Sequence, residues 1–244
     1  MAFDIQTVMW KEWREIYRQK SSLRDIASLL IILAFFSLFL PTQFGAGWVS
    51  APVVIFFSTW FPFLMVTSIV ADSFAGERER HTLETLLASR LPDSAILSGK
   101  VLAISIFGWL LALLTLLFSL IFVNLQYSQG SFLFYNLPVL LGSIVLGFLG
   151  ALLSAQAGVI ISLRSATVRQ AQQILSLLGM APVFLLVFLG QMMSAGQKAK
   201  LVNYFGSFGL SHTVLLFVTA LAVADLILFW AARARFQRTR LILD

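Results

Sequence analysis

Six mainly apolar stretches, separated by polar segments, divide this chain. They cover approximately residues 26–40, 49–74, 95–123, 137–163, 171–193 and 210–232. A helix needs about 20 apolar residues to cross a bilayer, and the first stretch is short of this because Pro41 follows it. The apolar runs are continuous rather than alternating, which favours helices over a membrane β-barrel. The pattern therefore predicts an all-α membrane protein with six transmembrane helices.

The composition agrees with a chain that lies mostly in the bilayer. Hydrophobic residues make up 59% of the 244 residues and charged residues only 11%. A soluble domain of this length would need far more polar surface to cover its core. The chain contains no cysteine, which excludes disulfides, Cys-ligated zinc and thiol catalysis.

Basic residues are distributed unevenly over the connections between the apolar stretches. The termini and every second connection contain Lys11, Arg14, Arg18, Lys20, Arg24, Arg78, Arg80, Arg90, Lys100, Arg164, Arg169, Arg233, Arg235, Arg238 and Arg240. The other connections contain only Lys198 and Lys200. Because basic residues concentrate on the cytoplasmic side, we expect a multi-pass protein of the cytoplasmic (inner) membrane with both termini in the cytoplasm.

Residues 1–24 are predicted to form an amphipathic helix in the membrane interface, with Trp10 and Trp13 at headgroup depth. Its predicted apolar side consists of Ile5, Met9, Trp13, Ile16 and Tyr17. Its predicted polar side consists of Lys11, Glu12, Arg14, Glu15 and Arg18. Two compatible roles follow, namely a membrane anchor and a lever that ties the first span to a cytoplasmic partner.

The most charged part of the chain, residues 76–91, lies between the second and third apolar stretches. It begins with four consecutive charged residues, Glu77 to Arg80, and continues with leucines at helical spacing. Arg80 and Glu84 are four residues apart and are expected to pair on this helix. The segment therefore predicts a short cytoplasmic helix with one apolar face.

Two interpretations of this segment remain open. It could be an ordinary solvated loop whose charges only set the orientation of the chain. Orientation requires basic residues and gains little from acidic ones, so Glu77, Glu79 and Glu84 are unnecessary for it. A helix with an apolar stripe and mixed charges suits docking into a groove on a soluble protein.

Polar residues inside the apolar stretches are few. Asp225 is an acid well inside the sixth stretch, and Gln156 is an amide in the fourth. An intramembrane carboxylate is costly, so Asp225 is either a structural hydrogen-bonding group or part of a translocation path, and the same two alternatives apply to Gln156. Small residues form two ridges in the fourth stretch, Gly147-Ala151-Ala155 and Gly150-Ser154-Gly158. Such ridges predict close packing between helices.

One group of motifs resembles a known family. The order is Gly76-Glu77-Arg78-Glu79, Thr82-Leu83-Glu84 and Leu86-Leu87, followed by Gly99-Lys100 at the start of the third stretch. This order resembles the ABC-2 type permeases of ATP-binding-cassette (ABC) transporters, whose pattern reads roughly E-x-E-x-x-T-L-E-x-L-L and then G-K. The chain departs from the pattern at His81, where the family often has glycine, and at Pro92, which comes later than the usual proline.

The resemblance implies a single ABC-2 type transmembrane domain over residues 1–244, with residues 76–91 as a coupling helix that seats on an ATP-binding subunit. The contacts it implies are made by Glu77, Arg78, Glu79, Thr82, Leu83, Glu84, Leu86 and Leu87. It also implies a dimer of permease subunits, identical or different, with two copies of the ATPase subunit. No nucleic-acid partner is expected.

The chain has no G-x-x-x-x-G-K-[ST] phosphate loop, so we expect no cofactor in it and no enzymatic activity of its own. ATP and magnesium would be bound by the partner subunit. The resulting hypothesis is a permease that exports a substrate by alternating access. The alternative is a mechanical or assembly complex that uses the same ATPase without moving a solute. An intramembrane enzyme is disfavoured because no paired catalytic groups are apparent at membrane depth.

Overall fold

The computed structural model describes residues 1–19, 23–82, 88–197, 200 and 209–236, and the regular elements among them are all helical. In chain order the long helices are α1 (Ala2–Gln19), α2 (Leu23–Ala34), α3 (Val53–Glu79), α4 (Asp93–Tyr127), α5 (Leu137–Ser162), α6 (Val168–Met192) and α7 (Gly209–Arg235). The coupling residues Leu83, Glu84, Leu86 and Leu87 lie outside the described residues.

Five of the described helices, α3 to α7, are long and apolar enough to cross a membrane. They confirm the predicted all-helical, multi-pass membrane protein. The first apolar stretch forms the shorter helix Ile26–Thr42, so its crossing of the bilayer stays a prediction. Here α2 continues through a π-helical turn, Phe35–Phe39, and passes Pro41. The sequence predicts an end of the span near residue 40 or an extension toward Phe44, and the observed end at Thr42 lies between the two. Proline interrupts ordinary α-helical hydrogen bonding, and the wider π turn lies directly before it.

The centre of the fold is the contact between α3 and α5, where small residues allow the two backbones to approach. A Cβ atom on Gly147 would lie 3.1 Å from the carbonyl oxygen of Ser58. A Cβ atom on Gly150 would overlap the carbonyl oxygen of Thr59, and one on Gly158 would overlap Val70. The predicted small-residue ridges of α5 are thus confirmed as packing surfaces, and α3 is the helix that they contact.

The remaining spans surround this pair. The indole of Trp60 on α3 donates a 2.8 Å hydrogen bond to the carbonyl oxygen of Gly179, which fixes the crossing of α3 and α6. Helix α7 packs on α5, with Val214 opposite Gly142. Apart from these contacts, α6 and α7 expose most of their apolar side chains, as expected for helices at the lipid-facing edge.

Helix α3 continues beyond its predicted end at residue 74. It passes through a π-helical turn at Asp72–Gly76 and ends at Glu79. The chain then turns at His81, whose φ of +54° lies in the left-handed region that glycine adopts without strain. The prediction of one continuous helix from residue 76 to 91 is therefore wrong at its start, and it is wrong at its end because residues 88–91 form a turn and a bend. The charged residues 77–79 form the last turn of this helix. They can do so because their side chains have partners within the protein, as described below.

The α3–α5 contact leads to a test in which Gly150 is replaced by alanine. We expect Gly150→Ala to reduce the free energy of unfolding by about 1–3 kcal/mol, because the added methyl group overlaps the Thr59 carbonyl. Gly190→Ala in α6 is the matched control, since nothing lies within 4 Å of a Cβ atom there. Thermal unfolding in detergent measures both. Equal midpoints for the two variants would contradict this packing.

Candidate functional site

Lys100 is completely buried in the first part of α4, although it is a lysine. Its ammonium group lies 2.9 Å from Glu12 Oε1 of α1 and 3.0 Å from Glu77 Oε1 of α3. Lys11 Nζ lies 2.7 Å from the same Glu77 oxygen. We call these four residues, Lys11, Glu12, Glu77 and Lys100, the ion cluster. It joins three helices that are distant in sequence.

The absence of a side chain at Gly99 allows α1 to approach Lys100 closely. A Cβ atom at this position would lie 2.7 Å from Val8 Cβ and 3.0 Å from the carbonyl oxygen of Ile5. The indole of Trp13 adds a 3.1 Å hydrogen bond to the carbonyl oxygen of Ala103. The Gly99-Lys100 motif therefore has two linked roles: the glycine admits α1 and the lysine binds its glutamate.

Ser73, in the π-helical turn of α3, completes the coordination of the lysine. Lys100 Nζ donates hydrogen bonds to the Ser73 carbonyl oxygen at 2.9 Å and to Ser73 Oγ at 3.1 Å. Ser73 Oγ in turn donates to Glu12 Oε2 at 3.0 Å. A lysine ammonium has three protons to donate, so acceptors on α1 and α3 satisfy it without water.

The charges of the ion cluster balance, with two carboxylates and two ammonium groups. Burial alone would raise the pKa of Glu12, but the charges of Lys100 and Lys11, with hydrogen bonds from Lys100 and Ser73, outweigh burial and lower it. Burial alone would lower the pKa of Lys11, but its hydrogen bond to Glu77 and the nearby carboxylates raise it. Both groups of α1 are thus held in their charged forms.

A second ion pair lies beside the cluster, at the end of α3. The guanidinium of Arg80 binds both oxygens of Asp72, at 3.1 and 3.2 Å, and lies 3.8 Å from Glu15 of α1. The hydrogen bonds to Asp72 raise the pKa of Arg80. Any side chain on Gly76 would overlap the Asp72 carboxylate, so this pair requires glycine there. Arg80 thus has partners other than the predicted Glu84, which lies outside the described residues.

Four of the predicted docking residues also bind within the chain. Glu77 belongs to the ion cluster and is 3% exposed. Arg78 donates hydrogen bonds to the carbonyl oxygens of Leu163 and Ser165, at 2.8 and 3.3 Å. Glu79 Oε1 accepts a 2.8 Å hydrogen bond from the backbone N–H of Val168. Thr82 Oγ1 donates a 3.2 Å hydrogen bond to the Glu77 carbonyl oxygen. These contacts fasten the end of α3 to α1, α4 and the α5–α6 connection. Contact with an ATPase subunit stays a prediction for all eight residues.

Sequence reasoning missed Glu12 and Ser73 and gave Lys100 only an orienting role. Glu12 was assigned to the exposed side of α1, yet it is 3% exposed. The available signal was the position of Lys100, roughly 10 Å into α4 when counted from Asp93 at 1.5 Å per residue. A lysine among apolar residues at that depth needs a buried carboxylate, because an unpaired buried charge is costly.

The carboxylate oxygens of Glu12, Glu15 and Glu77 lie within 4.8 Å of one another, a spacing that a metal ion would need. The ammonium groups of Lys11 and Lys100 already lie among these oxygens. The arrangement is therefore that of an internal ion cluster, in which the lysines take the place of a metal cation.

Comparison with known proteins places this chain in a family. The family model described as ABC-2 type transporter matches residues 4–185, which include the ion cluster and helices α1 to α5. The chain belongs to the ABC-2 type transporter family. It is also 32% identical over 147 residues to the ABC transporter permease protein NatB of Bacillus subtilis (strain 168). That match covers 55% of this chain but only 38% of the length of its relative.

Asp225 and Gln156, the two candidate residues for a translocation path in this ABC-2 chain, lie elsewhere in the bundle. Asp225 is buried in α7, and neither of its carboxylate oxygens has a hydrogen-bond partner among the described residues. Gln156 is buried in α5, and its Oε1 is likewise without a partner there. No hydrogen bond therefore joins Asp225 to Gln156. A role for either residue in a translocation path stays a prediction.

The ion cluster leads to a double-mutant test of stability. Lys100→Met leaves Glu12 and Glu77 with a single ammonium partner, and we expect a loss of about 3–5 kcal/mol of unfolding free energy. Adding Glu12→Gln restores charge balance as a Glu77–Lys11 pair, so the double variant should recover part of this loss. Thermal unfolding in detergent measures the stabilities of the two single variants and the double variant. Arg169→Met, at an exposed site, is the control. Additive losses would contradict the cluster.

The pKa of Glu12 also sets an expected dependence on pH. Because its folded-state pKa lies below the ordinary 4.5, its stabilising contribution is present above pH 4.5. That contribution is lost as the pH falls through the folded-state pKa. Over this acid window the unfolding midpoint should fall more steeply in the natural chain than in the Glu12→Gln/Lys100→Met double variant. Parallel curves would show that Glu12 is not held ionised by its partners.

Proposed function

We propose that this ABC-2 chain is the permease subunit of an ATP-driven transporter and that a separate ABC subunit hydrolyses ATP. The observation that supports the proposal most strongly is the ion cluster. It fastens Glu77, the first charged residue of the expected docking segment 76–91, to α1 and α4. A segment that only oriented the chain would need no such attachment.

The ion cluster connects the docking segment to the membrane helices, so that a displacement of the segment can reach them. When an ATPase subunit moves the segment, Glu77 carries the displacement to Lys100 of α4, and Lys100 carries it to Glu12 of α1. Breaking one partner from a buried ion pair costs about 3–5 kcal/mol, so these helices move together rather than separately. Arg78 and Glu79 extend the connection to the start of α6.

The proposed cycle follows from that connection. Two permease subunits, each with an ATP-binding subunit that holds ATP and magnesium, would change between inward-facing and outward-facing states. The chain itself performs no chemistry. Its substrate is exported across the cytoplasmic membrane, with both termini and the docking segment on the cytoplasmic side. The distribution of basic residues supports this orientation, and the family supports the ABC partner.

The docking role is tested by Leu83→Asp and by Glu84→Lys. Each variant should lose co-purification with the ATP-binding subunit, because it places a charge in the apolar contact or reverses one in the polar contact. Membrane insertion should persist. Leu83→Met is the matched control and should retain the subunit, as should Gln197→Lys on the opposite side of the membrane. Retention of the subunit and of ATPase stimulation in both docking variants would contradict the docking role.

Reconstitution in vesicles separates transport from a mechanical or assembly role. ATP-dependent movement of a solute that stops with Leu83→Asp supports a permease. Vesicles in which the complex hydrolyses ATP but moves no solute across a broad panel would favour a mechanical complex with the same subunits.

A further inference from the structure

Helix α1 has three faces rather than the two that its sequence predicts. The buried face consists of Val8, Glu12 and Ile16, flanked by the half-buried Ile5, and it packs against α4 and the core. Tyr17, assigned to the apolar side, is 83% exposed. The buried face thus occupies only part of the helix circumference. The rest of α1 contains two clefts, and of their lining residues only Lys11 belongs to the ion cluster.

The first of these is an aromatic cleft of about 440 Å³ along one side of α1. It is lined by Phe3, Gln6, Thr7, Met9, Trp10 and Trp13. Phe3 is 79% exposed and Trp10 is 60% exposed, so the protein leaves this aromatic surface uncovered. Aromatic residues of this kind are typical of the boundary between headgroups and hydrocarbon.

The second is a basic cleft of about 710 Å³, which adjoins the aromatic cleft at Thr7 and Trp10. Its charged lining residues are Lys11, Arg14, Arg18, Arg80 and Glu15. Four cations thus face one carboxylate. Lys11 and Arg80 are paired with acids behind the cleft. Arg14 instead lies 5.2 Å from the ring centre of Trp10, and no described carboxylate pairs with it.

The two clefts differ in depth along α4. Trp13, in the aromatic cleft, binds the carbonyl oxygen of Ala103, which is roughly 4.5 Å further into α4 than Lys100. Arg80, in the basic cleft, lies beyond the end of the α3 span. The aromatic cleft is therefore on the hydrocarbon side of α1 and the basic cleft on the water side.

We propose that α1 binds one anionic phospholipid across these two clefts. Its phosphate lies in the basic cleft beside Arg14, and an acyl chain runs along the aromatic cleft, with Trp10 at the boundary. A guanidinium binds phosphate oxygens through charge-assisted hydrogen bonds, and basic pockets at this level of a membrane protein suit anionic headgroups. The charge of Arg14, which no described carboxylate balances, selects an anionic lipid over a zwitterionic one. An acidic segment of a soluble partner would leave the aromatic cleft unfilled.

Native mass spectrometry of the full chain tests this site with phosphatidylglycerol and phosphatidylcholine as probes. The chain should retain phosphatidylglycerol, and Arg14→Gln should weaken that binding about tenfold, since one charge-assisted contact is lost. Phosphatidylcholine should bind weakly to both. Arg169→Gln, at an exposed arginine outside the clefts, is the matched control and should bind like the natural chain. Trp10→Ala should also release phosphatidylglycerol, because the aromatic boundary is lost.

Four results would overturn the proposal, the last of them with a competing probe. The first is equal retention of the two lipids, and the second is equal phosphatidylglycerol binding by Arg14→Gln and Arg169→Gln. In the third, Arg14→Gln retains the lipid but loses the ATP-binding subunit, which would assign the basic cleft to a protein contact. Inorganic phosphate is the competing probe and should not displace the lipid, because it cannot fill the aromatic cleft. Displacement would identify a site for free phosphate instead.

Discussion

The need to neutralise a buried lysine constrains this fold more than any other interaction in it. Lys100 is fully buried, and an ammonium group removed from water requires close carboxylates and further hydrogen-bond acceptors. Glu12 and Glu77 supply the carboxylates and Ser73 supplies the acceptors. Three segments that are distant in sequence must therefore meet at one point. Helix α1 has to cross α4, and α3 has to continue past its apolar part.

Glycines make this meeting sterically possible. Gly99 lets the backbone of α1 lie against α4, and Gly76 leaves room for the Asp72 carboxylate beside Arg80. The residues of the family-like pattern consequently have internal partners as well as any external ones. Glu77 and Glu79, which sequence reasoning assigned to a docking surface, first hold the end of α3 in place. In the proposed function, this attachment lets the docking segment transmit a force, which a freely solvated loop could not do.

The sequence predicts the spans well because lipid imposes a simple pattern. Continuous apolar runs identify α3 to α7, and the ridges around Gly150 correctly predict close helix packing. The errors occur where charge is buried. Sequence reasoning assigned Glu77 to the start of an exposed cytoplasmic helix because hydropathy cannot show that Lys11 and Lys100 neutralise it. The ion cluster depends on contacts between residues that are far apart in the sequence. A hydropathy pattern does not show which of these residues come together in the fold.

Hydrogen exchange with mass spectrometry tests most directly whether the ion cluster fastens these segments together. In Lys100→Met, amide exchange should increase together in α1 and in residues 72–79, while the α5 ridge that packs on α3 stays protected. The Glu12→Gln/Lys100→Met double variant should return both segments toward the protection of the natural chain. An increase confined to the first turns of α4, with α1 and residues 72–79 unchanged, would contradict the account.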